Sequence, residues 1–537
     1  MANTFKKVID RMIWAQVTPS PNAHTTATSM CSDLRNNSTR NPFVYNLISN
    51  TILNRYNIIT KGWQVATSAA PITAGTFGVG STMAFAPSFG AVGVIAAGAT
   101  TTSVTLSTAL PTAVGVNMLA NRGGSGELGF RIRIIDNVVG KIEERWIVGN
   151  TTGTTPVITV DTAFSFTPSN GARYEILCGR VLMLGAAALG AGIFRSFEPA
   201  SNTLSSLGTT NLPGTINVDS AMLVLDEQYV PFDMAPGEGM VKGSFSYDTG
   251  VSSLTATNTA LGTLTGQATG GDAVVLANEY RNFQIRIVQD TVNPTAVGQR
   301  RIILSHTAGA SPVYTLGSNW TVTPSTNAKY VIELPNLLVL RSTAALITYT
   351  YNYTDATITR GGDTIAANAW STAYFAAPSV TLGAGCVWAP SFGIQPDPAR
   401  NSRHSHCFFF RGGAAVTLDL FDIAGAATGS WTAGVTYDGN VNPFGAGTTA
   451  SYAPFGQEGR FTYVNVYVAS QLSQIYRFDA KSRVFSPYVQ TDFIQAGTAL
   501  QGGRMATYCA IDGADEYAVV LLQAHTSTIC QELICLV

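Results

Sequence analysis

Two stretches of this chain are copies of one another. Arg145 to Ile176 reads RWIVGNTTGTTPVITVDTAFSFTPSNGARYEI, and Arg301 to Ile332 reads RIILSHTAGASPVYTLGSNWTVTPSTNAKYVI, aligned without a gap. Matched pairs include Arg145/Arg301, Pro156/Pro312, Val157/Val313, Thr159/Thr315, Pro168/Pro324, Ala172/Ala328 and Tyr174/Tyr330. Just upstream, GFRIRIID (Gly129–Asp136) matches NFQIRIVQD (Asn282–Asp290) at a slightly shorter offset, so a small indel divides each copy. Each copy predicts three or four strands: FRIRII alternates with period two, a turn follows, then RWIV, PVITV, and ARYEI after a TPSNG or TPSTN turn. Such alternation buries one face and leaves the other to solvent or a neighbour.

A fainter series surrounds the copies, of the form aromatic, Asp/Asn/Glu, short turn, then aromatic or Leu. Its members are RYNIITKGWQV (Arg55–Val65), SFEPASNTLSSL (Ser196–Leu207), YNYTDATITRGG (Tyr351–Gly362), LFDIAGAATGSWTAG (Leu420–Gly434) and YRFDAKSRVFSPYV (Tyr476–Val489). Each predicts a tight hairpin. The first aromatic ends a strand, the acid or amide caps the turn, and the second aromatic packs back across the pair. Leu204 and Ile358 take the second aromatic place in the second and third members. FAPSFG (Phe85–Gly90), MAPGEG (Met234–Gly239) and WAPSFG (Trp388–Gly393) recur after hairpins, and residues 515–537 supply one more apolar hairpin.

The aromatic–Asp–turn–aromatic pattern, best seen in Phe421-Asp422 with Trp431 and Phe478-Asp479 with Phe485, resembles the blade hairpin of kelch-type β-propellers. Asp422 and Asp479 stand about one such blade apart. The intervals from Tyr56 to Phe197 and from Phe197 to Tyr353 are longer by about one copy of the duplicated unit with its flanks. The expectation is therefore an all-β chain: a five- or six-bladed kelch-like β-propeller with two homologous inserted small β-domains and an extended N-terminal arm. The divisions are an arm at 1–50, a discontinuous propeller at 51–90, 180–249 and 336–537, and inserts at 91–179 and 250–335. Residues 1–14 predict a short helix and the Pro/Asn/Ser/Thr-rich stretch after it an extended arm. Closure requires the C-terminal strands to pair with one from the N-terminal segment, since an open edge invites aggregation.

Charged residues are 12% of the chain, against about 25% in ordinary domains, and the formal net charge is -1. That gives no electrostatic case for a nucleic-acid or anionic-membrane binder. The start lacks the apolar core of a secretory signal, and Val181–Phe194 is too short and glycine-broken to span a membrane. Synthesis in a cytoplasm without export by a cleaved signal is expected. The seven scattered cysteines predict reduced, mostly buried thiols.

Candidate chemistry is sparse. RHSHC (Arg403–Cys407) places His404 and His406 on one side of a strand and Cys407 opposite, without a further ligand at zinc-site spacing. SYDTGVSSL (Ser246–Leu254) partly matches the Asp-box turn of sialidase-type propellers but lacks its closing Trp and occurs once. Glu143-Glu144 predict solvated strand-end carboxylates, and Arg145 and Arg301 each brace a turn rather than bind a ligand. Trp63, Trp146, Trp320, Trp370, Trp388 and Trp431 fall in strand patterns and predict packing. GGSGELG precedes no helix, so no phosphate loop is expected, and no catalytic, cofactor-binding or metal residue is assigned.

The repeated unit is similar to small β-modules of tailed-bacteriophage virion proteins, over roughly Gly129–Ile176 and Asn282–Ile332. With the propeller hairpins, the chain resembles a virion structural protein of tail nozzle, tail hub or head–tail connector type. That resemblance implies a non-enzymatic virion subunit, made in the host cytoplasm. It implies assembly as a symmetric homo-oligomer beside portal, adaptor or tail proteins, with passive contact to DNA in the channel. The alternative is a glycan-binding or receptor-binding tail or capsid-decoration protein. A cellular kelch-like adaptor fits the Thr/Gly bias and the inserts less well.

Overall fold

The computed structural model describes residues 13–536, apart from 24–28, 34–42, 66–76, 121–129, 186–192, 227–254, 266–276, 342–347, 376–381, 391–405, 454–460, 467–473, 491–503, 510–516, 524–529 and stretches of four residues or fewer. The chain is all-β, and the described residues hold a single helical turn, the 3-10 turn Pro294–Ala296. Six four-stranded antiparallel sheets carry most of it. In the first, Ser29–Ser32, Phe43–Ser49, Ile52–Asn57 and Gly62–Val65 pair in chain order. Each sheet begins with a strand of its own: Ser29–Ser32, Thr82–Ala86, Ala221–Leu225, Val387–Pro390, Thr449–Ala453 and Arg504–Cys509. These six first strands lie side by side in that order, and the sixth adjoins the first, so the sheets form a closed ring.

The sixth sheet is completed from the other end of the chain. Ile13–Val17 pairs antiparallel with Cys530–Leu536, Ile13 opposite Ile534 and Val17 opposite Cys530. Ile13 and Trp14, expected in a short helix, are thus strand residues, and residues 1–12 of that expectation lie outside the described residues. The stretch expected as an arm also supplies Ser29–Ser32. A strand that fills a sheet edge gains five paired positions here, which a lone helical turn with one apolar side cannot match.

Aromatic rings wedge between successive sheets. Tyr45 stands 5.8 Å from Phe197, Phe194 4.8 Å from Tyr351, Phe375 5.1 Å from Phe421, and Phe408 5.0 Å from Phe478. Near the ring centre, Ser32 Oγ donates to the Thr507 carbonyl at 2.6 Å, and the Thr507 N–H donates to Ser451 Oγ at 2.8 Å. At the seam between the first and sixth sheets, buried Glu532 accepts from Tyr56 Oη at 2.8 Å, from Lys61 Nζ at 2.9 Å and from Tyr508 Oη. Burial first, and the adjacent Glu532 second, push both tyrosine hydroxyls well above their ordinary range, so they remain donors.

The hairpin series recurs as cross-strand pairs: Tyr56 opposite Trp63, Phe197 opposite Leu204, Phe421 opposite Trp431 and Phe478 opposite Phe485. The turn acids cap as expected, Asp422 accepting from the Ala424 N–H at 3.0 Å and Asp479 from the Lys481 N–H at 2.9 Å. The third member differs from expectation. Tyr351 faces Trp370, not Ile358, because a small extra hairpin, Ile358–Arg360 with Asp363–Ile365, interrupts the turn. Asn352 Nδ2 clamps that hairpin through the Ile365 carbonyl at 3.1 Å. Tyr353 instead donates to Asp226 at 2.6 Å.

The duplicated copies form two further six-stranded sheets. The first insert spans Val92–Val94 to Arg173–Leu177, the second Thr255–Asn258 to Lys329–Glu333. Both interrupt the same connection, between the first and second strands of the second and third ring sheets. Successive strands run antiparallel, so first-to-second and third-to-fourth connections leave the ring on one face. The two inserts are neighbours on that face, together with the extra hairpin of the third sheet. The first insert curls until its edges meet at an Ile95–Leu106 bridge, around its own core of Ile132, Ile134, Ile147, Ile158 and Tyr174. The second shares one continuous core with the ring, Ile285, Ile287 and Tyr314 joining Leu337 to Leu340.

The repeated residues do repeated work. Asp136 and Asp290 cap their own turns and reach the next one, accepting from the Ser169 and Ser325 N–H groups, each at 2.7 Å. Thr151 and Thr307 accept from Val157 and Val313. The offset change arises from a bulge between Ile287 and Gln289 and from the longer turn holding Pro294–Ala296. A diverged position keeps its role: Asn150 of the first insert is His306 in the second, and each accepts a backbone N–H, from Leu119 and Tyr280 respectively.

Two consequences are measurable. Glu532→Ala leaves two buried hydroxyls and Lys61 without their acceptor, and is expected to cost on the order of 3 kcal/mol. It should lower the urea midpoint and speed amide exchange along Cys530–Leu536. Burial lowers His306 from 6.5 to about 4, with nearby Arg281 acting the same way and the Thr307 carbonyl opposing. The unfolded chain therefore binds a proton that the folded chain refuses, and stability falls as pH drops from 6.5 towards 4, by up to about 3 kcal/mol. In His306→Asn, the residue of the first insert, the urea midpoint between pH 7 and 4.5 should vary less than in the parent.

Candidate functional site: a cleft between the two inserts

The inserts touch through two glycines. Gly140, at φ +69°, lies so close to the second insert that a Cβ there would stand 2.8 Å from the Asp290 carbonyl oxygen. Gly298, at φ +88°, would place one 3.2 Å from Ile135 Cγ2. Beside this contact opens a cavity of about 340 Å³. The first insert contributes Ile135, Asn137 and Arg173, and the second Gln284, Thr295, residues 297–302 and Ser318. Thr357 and Ile358 of the extra hairpin close the third side. Three arginines, Arg173, Arg300 and Arg301, line it together with amides and hydroxyls, and no carboxylate stands among the described lining residues.

The second insert is held rigidly under this cleft. Asn282 Nδ2 donates to the Ile423 and Ala426 carbonyls of the fourth sheet's turn, at 2.7 and 3.1 Å. Buried Arg286 pairs with Glu333 at 2.9 Å, and Gln284 Nε2 donates to the same carboxylate at 3.0 Å. Arg300 Nε stands 3.9 Å from Glu333, and Arg173 stands 3.4 Å from Glu175.

Arg145 and Arg301 brace turns, as their matched positions predict. Arg145 donates to the Ala163 and Glu144 carbonyls at 3.1 and 2.7 Å, Arg301 to the Asn319 and Arg300 carbonyls at 2.7 Å each. Each guanidinium covers an aromatic ring, Phe164 or Trp320. They differ in charge environment. Arg145 is paired with Glu143 at 2.7 Å, whereas the matching residue beside Arg301 is Gln299, whose Oε1 accepts from the Thr321 N–H at 2.8 Å. Burial pulls Arg301 below the ordinary guanidinium value.

The remaining candidates resolve into structure. Glu143 and Glu144 are half-buried on Lys141–Asn150 and paired with Arg145 and with Arg131 and Arg133. His406 lies buried on His406–Phe410, 3.6 Å from the turn-capping Asp422, with Cys407 in the core behind it; His404 lies outside the described residues. No group of three metal-ligating side chains occurs among the described residues. The SYDTGVSSL and MAPGEG segments lie outside them. Trp320, Trp370 and Trp388 are buried, Trp431 packs against Phe421, and Trp63 Nε1 donates to the Thr18 carbonyl. Trp146 lies under Arg131. Cys31, Cys178, Cys386, Cys407 and Cys530 form no disulfide, and no described helix is long and apolar enough to cross a membrane.

Sequence reasoning missed the cleft, since its walls come from three separate stretches. The signal it could have used is the divergence of Glu143-Glu144 into Gln299-Arg300 between otherwise matched copies.

No family model and no curated protein matches the chain. Among solved structures, a putative 6-phosphogluconolactonase from Bacteroides fragilis aligns at 10% identity, covering 87% of this chain and 95% of that one. Its TM-score of 0.17 is too low to transfer a fold or an activity.

The inter-insert contact can be weighed by a pair of variants. Gly140→Ala forces a positive φ on an L-residue and a methyl group against the Asp290 carbonyl. Gly171→Ala, at φ +84° in open space, carries the backbone strain alone. Gly171→Ala is expected to cost about 1 kcal/mol and Gly140→Ala about 1–2 kcal/mol more, read as urea midpoints.

Proposed function

We propose that the six-sheet ring is a six-bladed, kelch-like β-propeller and that the protein is a non-enzymatic structural subunit of a tailed-bacteriophage virion. In this reading it sits at the tail or neck and assembles with further copies of itself and with neighbouring virion proteins through the inserts. The observation that carries the assembly role is where apolar surface is left uncovered. The exposed large hydrophobic residues among the described residues are Val92, Val94, Val116, Val138, Val139, Val148 and Val292, and all lie in the inserts. Val138 and Val292 occupy the same turn in the two copies, just after the capping Asp136 and Asp290. A closed ring shields its strand edges, while solvent-facing valines at matched tips suit burial against a neighbour. The ring face with the inserts is then the assembly face.

A second reading, glycan or receptor binding by such a subunit, draws on the arginine-lined cleft on that same face. Electron microscopy of the purified protein separates assembly from a solitary role: a symmetric ring or stack supports the proposal, and a monodisperse monomer absent from virions sinks it. Val138→Lys combined with Val292→Lys should leave the monomer folded and shift the assembled particles towards monomer in analytical ultracentrifugation.

A further inference from the structure

We propose that the cleft between the inserts is a binding site for one anionic sugar unit, a hexose bearing a carboxylate or phosphate. This goes beyond the structural role and holds whether or not the subunit assembles. The two copies differ in charge where they meet the cleft. Where the first insert has Glu143 and Glu144, the second has Gln299 and Arg300, both on the cleft wall. The hydrogen-bonding job survives the change, since Glu143 and Gln299 accept the N–H of Ser165 and Thr321 respectively. What is lost is the counter-charge: Arg145 has a carboxylate at 2.7 Å, and Arg301 has none among the described residues. The Gln299 amide also donates to the Ala296 and Val322 carbonyls at 3.1 and 2.7 Å, tying down the longer turn of the second insert, so the change that holds this turn also leaves Arg301 without a carboxylate.

Arg301 also keeps donor capacity in hand. Arg301 gives one N–H each to Asn319, Arg300 and Thr321, which leaves two of its five donors for an anion. Elsewhere in the lining, Asn137, Ser318 and Thr357 suit hydroxyl groups, and Ile135 with Val297 offers the aliphatic floor a pyranose ring lies on. A volume of about 340 Å³ is at the small end of ligand pockets, room for a single sugar unit. No aromatic side chain stands among the described lining residues, which offer no stacking platform of the kind single-stranded nucleic-acid sites use.

The test is calorimetric titration of the full chain, at low ionic strength, with glucuronate, glucose 6-phosphate, glucose and inorganic phosphate in turn. Expected is saturable binding of at least one anionic sugar, weakened by salt, with glucose and inorganic phosphate binding more weakly than it. Gln299→Glu, which restores the first insert's residue, should weaken that binding at least about tenfold. Glu143→Gln, the reverse change in the first insert, should leave it unaltered. If Gln299→Glu fails to fold, Arg300→Gln serves instead, since Glu333 keeps Arg286. No binding of either anionic sugar, equal binding of glucose, or equal binding of inorganic phosphate overturns the proposal. So does unchanged affinity in the folded variant, or a short oligonucleotide that binds where the sugars do not and loses affinity in Gln299→Glu.

Discussion

The pairing of Ile13–Val17 with Cys530–Leu536 is the interaction on which the other elements depend. Six four-stranded sheets neighbouring one another in a closed series cover each other on both sides only if the last meets the first. The chain itself crosses every junction between sheets, since Ile13–Val17 of the sixth sheet leads into Ser29–Ser32 of the first. The one link held without covalent continuity lies inside the sixth sheet, between its two ends of the chain. Here the two chain ends share one sheet, and Glu532 gathers Tyr56, Lys61 and Tyr508 into a buried cluster across the junction. The hydroxyl contacts Ser32–Thr507–Ser451 tie the same junction to the fifth sheet near the centre. Opening this seam would expose aromatic wedges and strand edges together, so the ring stands or falls as a unit.

A closed ring with antiparallel strands has two unlike faces, and that is what turns a duplication into a site. Had the second copy been inserted between a second and a third strand, it would have emerged on the opposite face. Because both copies interrupt the first-to-second connection of adjacent sheets, they are pressed together, and Gly140 and Gly298 supply the close approach. The ring fixes them further from below through Asn282 on the fourth sheet's turn. The cleft is therefore walled by both inserts and the extra hairpin, and the divergence of one copy changes its charge.

Legibility in the sequence followed the range of each interaction. The capped hairpins were readable because an aromatic, its turn acid and the opposing aromatic lie within about a dozen residues, and their geometry is local. The exception, Tyr351 with Trp370, shows the limit. A second hairpin inside the turn moved the partner beyond the window, and Ile358 stood where a partner was expected. The N-terminal segment shows another limit. The apolar residues of 1–14 carry no sign that Ile13 and Trp14 will meet Ile534 and Leu533 at the far end of the chain. Arg145 and Arg301 were readable as turn braces, but the missing counter-charge beside Arg301 acquired meaning only when the cleft placed Arg173 and Arg300 around it.

What the sequence determined by itself was the class of structure and its repetition: an all-β chain, two copies of one unit, and a set of capped aromatic hairpins. Those properties follow from side-chain alternation and turn chemistry, which act between near neighbours. The tertiary structure alone decided which strand closes the ring, on which face the copies emerge, and which of their residues share a cavity. Those outcomes depend on where distant segments meet, and nothing in the local energetics of Arg173, Gln299 or Thr357 encodes that they should line one cleft.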